Sequence, residues 1–253
     1  KYKNAIMGVF PADHLIVGHK KFEKSMDNAF RMVKKQNNLV TIGIKPTYPS
    51  TAYGYIQYEP NNDKNNIGYH VKTFAEKPHE KLAKRFLKSG DFLWNAGIFI
   101  WQVDTLLSSL NNHMPELYDS LIKIKSCLDK SNNFEDIWNN ITPTSIDYGL
   151  MEKSNNIFVV PAEFEWNDLG SWDALHKFFS KKEGENIIRG FGNVLDGKNN
   201  LIQSIDKFTA IIGLDDIVVV NTEDATLVVK KDMVERVKEL VSWLEKKDYK
   251  ELI

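Results

Sequence analysis

The chain has 253 residues, 33 Lys+Arg against 34 Asp+Glu, with 42% hydrophobic and 26% charged residues. That gives room for one large or two smaller domains with a real core, and it excludes a disordered chain. The balanced charge argues against a nucleic-acid binder, and no run approaches the roughly 20 apolar residues of a membrane helix. The single cysteine, Cys127, excludes an internal disulfide or a cysteine zinc cluster, and with no signal-peptide pattern the expectation is a cytoplasmic protein.

In chain order, residues 5–10 are apolar nearly throughout and predict a strand buried on both faces, as in a parallel sheet. The run ends in Pro11-Ala12-Asp13-His14. Residues 20–36 place Phe22, Met26, Ala29, Phe30 and Val33 at helical spacing, and 39–44 form a second apolar run with β-branched Val40, Thr41 and Ile42. Strand, helix and strand together predict one βαβ unit with a parallel sheet. A Pro-rich loop from Pro46 leads into an aromatic strand containing Tyr55 and Ile56. Residues 69–75 alternate as a strand, and 81–89 predict a helix stopped by Gly90.

Residues 92–101 predict a turn followed by a buried strand, and 103–140 are mostly helical. Residues 143–153 hold Ser145-Ile146-Asp147-Tyr148-Gly149 and a helix end. A strand at 157–160 precedes Trp166-Asn167-Asp168-Leu169-Gly170-Ser171-Trp172 and a further helix before 177. Residues 181–185 read as a charged linker. Beyond it, β-rich stretches at 193–195, 201–204, 209–213, 217–221 and 226–229 predict a small all-β unit with solenoid-like spacing. An amphipathic helix over 233–244 follows. The expected boundary divides 1–182 from 183–253.

Ligands of an open parallel sheet bind beyond the carboxyl ends of its strands, which is where Asp13 falls. A lone Asp there is either a turn or cap residue or a ligand, and Asp168 in its Trp-flanked loop poses the same pair of readings. His14 and His19 read as parts of a solvated loop, with no third metal ligand nearby. Glu76-Lys77-Pro78 lies at another strand end. It is either a solvated turn or a lysine for phosphate beside a glutamate for sugar hydroxyls. Asn95, beside Trp94, has an amide suited to vicinal hydroxyls. Asp147 is either another hydroxyl acceptor or a charge at a helix start. No G-x-x-x-x-G-K-[ST] occurs, and Gly190-Phe191-Gly192 is not continued to a dinucleotide fingerprint because Leu195 stands in the last position. None of the four arginines, Arg31, Arg85, Arg189 and Arg236, lies beside a Gly-rich loop at a helix start. Composition and spacing alone thus predict an α/β protein with a polar pocket directed at phosphate and sugar.

Six segments follow one another in order: Phe10-Pro11-Ala12-Asp13-His14, Tyr53-Gly54-Tyr55-Ile56, Phe74-Ala75-Glu76-Lys77-Pro78, Phe92-Leu93-Trp94-Asn95-Ala96-Gly97-Ile98-Phe99, Ser145-Ile146-Asp147-Tyr148 with Met151-Glu152-Lys153, and Phe164-Glu165-Trp166-Asn167-Asp168-Leu169-Gly170-Ser171-Trp172. This series resembles the mannose-1-phosphate guanylyltransferases, a branch of the sugar nucleotidyltransferases, over residues 5–240. The resemblance implies a partial Rossmann-like α/β fold: a mixed sheet flanked by helices, with a small C-terminal β-helix-like domain. It implies transfer of GMP from GTP to mannose-1-phosphate, giving GDP-mannose and pyrophosphate. The roles carried over are Asp13 and Asp168 as the catalytic carboxylates that hold Mg²⁺, Lys77 on the sugar phosphate, and Glu76, Asn95, Asp147 and the Gly54 backbone around the sugar. The partners implied are the two substrates, with no nucleic acid and no membrane; a homo-oligomer stays open.

Two departures stand out. Ala52-Tyr53-Gly54-Tyr55 takes the place of the family's Gly-Tyr-Gly-Tyr. The family's opening Gly-rich strand-loop-helix, with its Arg and downstream Lys that cradle the triphosphate, has no match. The expectation is that the chain as it stands lacks the nucleotide half of the site, is inactive alone and exposes an apolar sheet edge. The alternative is a truncated, non-catalytic relative that binds a sugar phosphate or serves as an assembly subunit.

Overall fold

The computed structural model describes residues 5–35, 38–60, 66–170, 179–180, 182 and 184–252. The chain divides into two compact units, Lys1–Trp166 and Asn167–Ile253. The first is built on one sheet of β1 (Ile6–Val9), β3 (Leu39–Ile44), β4 (Tyr55–Tyr58), β5 (Tyr69–Ala75), β6 (Phe92–Gln102) and β7 (Ile157–Pro161). A short strand β2 (Leu15–Val17) pairs separately with β8 (Glu165–Asn167). The helices are α1 (His19–Lys35), α2 (Glu80–Ser89), α3 (Val103–His113), α4 (Pro115–Asp129) and α5 (Glu135–Asn139), followed by a π-helical turn at Asp147–Met151.

Strand β6 is the axis of the sheet. Its Trp101 pairs with Met7 of β1 on one edge and Leu39 of β3 on the other, while Trp94 pairs with Ile44 of β3 and Tyr55 of β4. Strand β3 continues in parallel to β7, β7 meets β5 antiparallel, and β5 meets β4 antiparallel. The sheet is therefore mixed. Strands β1 and β3 are each antiparallel to β6 and so run parallel to one another, as the strand–helix–strand reading requires, but β6 lies between them.

Alternation along the strands sorts the core into two layers. Val40, Ile42 and Ile44 of β3 pack with Met26, Ala29 and Val33 of α1 and Ala83 of α2. Leu39 faces the other way, into a cluster with Leu106 and Leu110 of α3 and with Leu150 and Met151 of the π-turn. Helices on both faces explain why every residue of β3 is buried. Gly90 ends α2 in the left-handed conformation, φ 80°, which a glycine adopts without steric cost.

Three local expectations are corrected. Strand β1 is not buried on both faces: it borders the sheet, with Met7 and Val9 exposed, because its one partner among the described strands is β6. Residues 92–101 do not open with a turn. They form one long strand whose register shifts opposite Thr41 and Gly43, and Gly97 at φ 68° absorbs the distortion. The helix expected after Trp172 lies outside the described residues.

In the second unit, β9 (Ile187–Leu195), β10 (Leu201–Ile212) and β11 (Ile217–Asn221) stack in parallel, and β12 (Thr226–Lys230) adds antiparallel to β11. Leu201 lies between Ile187 and Val218, and these three form one buried cluster. The rungs are β-helix-like. Asn200 N–H donates to Asn186 Oδ1 across 14 positions, and Asn200 Oδ1 accepts from Ile217 N–H across 17. The wholly buried Asn200 amide also donates to the Leu214 carbonyl at 2.8 Å, so its polar atoms are satisfied inside the stack. The two stretches expected at 201–204 and 209–213 are one strand with a bulge between Ser204 and Thr209, where Ser204 Oγ donates to the Lys207 carbonyl at 2.6 Å. The last segment is a 3-10 turn (Lys231–Arg236) leading into α6 (Val237–Lys246).

Gly190 sits at φ 106°, and a Cβ there would collide with the Ser204 backbone carbonyl of the neighbouring rung. Gly190→Ala should therefore lower stability by about 1–3 kcal/mol, from backbone strain and rung separation together. Denaturant midpoints measure it, and an unchanged midpoint refutes the account.

Candidate functional site

Asn95 is the centre of the site. Its backbone N–H donates to the Gly54 carbonyl at 2.8 Å, which joins β6 to the turn before β4. Its side-chain carbonyl accepts from Thr41 Oγ at 3.0 Å and from Gly97 N–H at 3.2 Å. With the oxygen so occupied, the amide nitrogen is fixed in direction and donates to Asp147 Oδ1 at 2.9 Å. The single Thr41 hydroxyl proton is shared between Asn95 Oδ1 and the Ile98 carbonyl, 3.1 Å away, which holds the side chain across the β3–β6 distortion.

Glu76 follows the last residue of β5. Gly54 faces it so closely that a Cβ at 54 would lie inside contact distance of Glu76 Oε2. Lys77 Nζ stands 3.6 Å from Glu76 Oε1; the Glu76 side chain is 11% exposed and that of Lys77 is 61% exposed. Lys77 itself adopts φ 44°, a left-handed backbone that is costly for a lysine and that turns the chain sharply after the strand. Glu76 N–H donates to Glu152 Oε1 at 3.3 Å.

Electrostatics bind these groups into one unit. Burial pushes the Glu76 carboxyl above its ordinary range; Asp147 and Glu152 add repulsion, and Lys77 pulls the other way. Burial likewise raises Asp147, opposed by its own backbone N–H, the Asn95 amide and Lys77, and assisted by Glu152. Carboxyls raised in the folded state bind protons that the unfolded chain has released. Their ionisation therefore costs stability as pH climbs from the unfolded pKa through the raised one, and below both values the cost is absent. Glu76→Gln and Asp147→Asn should accordingly melt higher than wild type at neutral pH, with the gap closing in acid. Melting curves from pH 3 to 8 check it, and a gap independent of pH counts against it. Gly54→Ala should displace the Glu76 carboxylate rather than unfold the sheet, because the obstacle is a side-chain end. The unfolding midpoint should hold within about 1 kcal/mol, while the Glu76 carboxyl, moved from its buried position, titrates closer to its ordinary range in an NMR titration.

The structure thus brings Gly54, Glu76, Lys77, Asn95 and Asp147 together. It adds Thr41 and Glu152, which sequence reasoning left without a role. Thr41 had one signal, as the only hydroxyl in the apolar run Leu39–Ile44. Asp13 lies in the loop after β1, its side chain 85% exposed. That loop is anchored: Pro11 and His14 abut Gly97, two residues along β6 from Asn95. His14 is not solvated, as the sequence suggested. Its ring packs edge-on to Trp166 at 5.1 Å, and Nδ1 accepts from Trp166 Nε1 at 3.1 Å, so Nε2 carries the proton and faces Asp13 Oδ1 at 4.0 Å. His19 opens α1 and is exposed. A row of aromatic contacts, Trp166–Tyr53–Trp94–Tyr48, runs from there along the site. In the second unit Asp168 precedes Leu169, whose left-handed backbone and N–H bond to Asn167 Oδ1 at 2.7 Å make a tight Asx turn. Among the described residues no group of three or more His, Cys, Asp or Glu side chains is arranged to hold a metal, and no helix is long and apolar enough to cross a membrane.

Comparison with known proteins places this geometry. Residues 1–185 match the nucleotidyl transferase family, and residues 193–244 match the MannoseP isomerase/GMP-like β-helix domain. Alginate biosynthesis protein AlgA of Pseudomonas aeruginosa is 33% identical over 250 residues, covering 96% of this chain and 51% of that protein. A mannose-1-phosphate guanylyltransferase of Escherichia coli is 32% identical over 264 residues, covering 98% of this chain and 55% of that protein. The chain spans about half the length of the curated relatives it matches. A crystal structure from Thermus thermophilus, described as a mannose-1-phosphate geranyltransferase, superposes with a TM-score of 0.86 at 29% identity, covering 95% of this chain and 70% of the other. With a mixed sheet flanked by helices, a β-helix-like C-terminal unit and a family match over most of its length, the chain belongs to the nucleotidyl transferase family.

Proposed function

We propose that this chain carries the sugar-phosphate side of a guanylyl-transfer site, in which GMP passes from GTP to mannose-1-phosphate to give GDP-mannose and pyrophosphate. The observation that carries the reading is the convergence of Gly54, Glu76, Lys77, Asn95 and Asp147 on one polar patch. Lys77, largely exposed beside the mostly buried carboxyl of Glu76 and within electrostatic reach of Asp147, serves as the point charge for the phosphate. Glu76, Asp147 and the Asn95 amide receive the sugar hydroxyls. A phosphate oxygen of the sugar phosphate attacks the α-phosphorus of GTP; the bond to the β-phosphate oxygen breaks, and pyrophosphate leaves with the electron pair.

We assign Asp13 and Asp168 to Mg²⁺. Their carboxylates are hard oxygen donors of the type Mg²⁺ takes, Asp13 largely exposed on the loop after β1 and Asp168 carried on an Asx turn. When bound, the cation offsets repulsion between the two phosphates and the charge gathered on the leaving pyrophosphate. We further infer a functional boundary at 182/183, near the end of the family match at residue 185. The free thiol of Cys127 suits a reducing cytoplasm. The test is direct: phosphorus NMR of the protein with mannose-1-phosphate, then with GTP and Mg²⁺. Binding of mannose-1-phosphate in preference to glucose-1-phosphate is expected, and GDP-mannose is the expected product in the intact protein. Equal or absent binding of the two sugar phosphates sinks the reading.

A further inference from the structure

We infer that Glu152 is a positioning residue of this site: stacked over Asp147 by the π-turn, its carboxylate ties down the backbone N–H of Glu76 and so sets the Glu76-Lys77 corner against Asp147. For its ligand the inference rests on the sugar-phosphate reading above; the tether stands on geometry alone.

The shape of the turn matters. Glu152 N–H donates to the Asp147 carbonyl at 2.9 Å, the i→i+5 bond of a π-helix. In an α-helix at 3.6 residues per turn, positions five apart point about 140° away from each other. The wider turn brings Glu152 back above Asp147, so both carboxylates address one side. Asp147 takes the Asn95 amide from β6 at 2.9 Å, and Glu152 takes the Glu76 N–H beyond β5 at 3.3 Å. One turn therefore holds two strand segments that do not pair with each other in the sheet. The turn itself is seated from behind. Leu150 and Met151 are buried in the core, and Gly149 lies so close to the Met114 side chain, at the α3–α4 junction, that a Cβ would displace it. π-Turns are rare and gather at functional sites, which fits an element with two ends of a binding patch to hold.

Glu152 also contributes charge. The groups facing Glu76 are Asp147, Lys77 and Glu152; those facing Asp147 are the Asn95 amide, Lys77 and Glu152. Glu152 thus has two separable effects: a hydrogen-bond acceptor that orients Glu76, and a negative charge that hinders ionisation of its two neighbours. Glutamine keeps the first and removes the second; alanine removes both.

The experiment uses ¹⁵N-labelled protein, amide exchange at Glu76 and titration with mannose-1-phosphate. Glu152→Ala should speed Glu76 N–H exchange and weaken mannose-1-phosphate binding by about three- to tenfold. Glu152→Gln should keep the amide protected and the affinity near wild type, while the acid limb of the binding profile moves to lower pH. If Glu152→Ala leaves both exchange and affinity unchanged, the proposal falls. It also falls if alanine and glutamine behave alike, since that marks a merely structural carboxylate. Failure of the wild-type protein to bind mannose-1-phosphate defeats the sugar-phosphate reading and the ligand role with it, whereas Glu76 exchange still decides the tether.

Discussion

Replacing Lys77 by asparagine is expected to weaken mannose-1-phosphate binding by about 10- to 100-fold while leaving the protein slightly more stable. The two effects come from different parts of the residue. The backbone at 77 is left-handed, φ 44°, a region that asparagine tolerates better than lysine. A lysine in that conformation is retained against local preference, which points to a need for its charge. The Lys77 side chain is 61% exposed and its ammonium lies 3.6 Å from Glu76 Oε1, so the pairing contributes little to the fold. Facing a phosphate it makes a charge-assisted contact, worth roughly 1.5–3 kcal/mol. Lys77→Arg keeps the charge with a different reach and should lose less. Calorimetric titration and thermal melts on the three proteins measure both quantities. A Lys77→Asn variant that binds like wild type removes Lys77 from the site; one that unfolds shows that the Glu76 ion pair is structural after all.

The sequence exposed some of this architecture and hid the rest, for physical reasons. Strand β3 was readable because helices cover both of its faces and its run Leu39–Ile44 is almost wholly apolar. Residues 5–10 show the same pattern, yet β1 borders the sheet with Met7 and Val9 exposed, since periodicity reports faces and says nothing of edges. Alternation along Tyr69–Ala75 marks that strand to its limits, whereas the bulge between Ser204 and Thr209 interrupts the period of two and makes one strand read as two. The site follows the same rule. Glu76 and Asp147 carry obvious chemistry at a strand end and a helix start, and Asn95 is a polar amide inside the apolar run of β6. Thr41 reads as one more β-branched residue until its hydroxyl is seen on Asn95 Oδ1, 54 positions away. The π-turn was invisible because local propensity does not select it; the burial of Leu150 and Met151 and the Gly149–Met114 contact do.

Asp13→Asn and Asp168→Asn should each lower kcat by about 10²–10³-fold in the intact protein, with mannose-1-phosphate affinity held within about threefold. An amide preserves the size and hydrogen bonding of each side chain but cannot offset the charge of a divalent cation. The substitutions should be mild for the fold. Asp13 is 85% exposed on a loop held by Pro11 and His14 rather than by its own carboxylate, and the turn at Asp168 is closed by Asn167 Oδ1. If each Asp only capped its loop, asparagine would cap as well, and turnover would stay near wild type. Raising Mg²⁺ gives a second axis. A weakened cation site should recover part of its rate and show a higher apparent Mg²⁺ requirement, while a cap variant should respond as wild type does. The double variant separates the cases further. Two ligands of one ion act as a unit, so the second substitution should cost much less than the first, whereas two independent loops should lose activity additively.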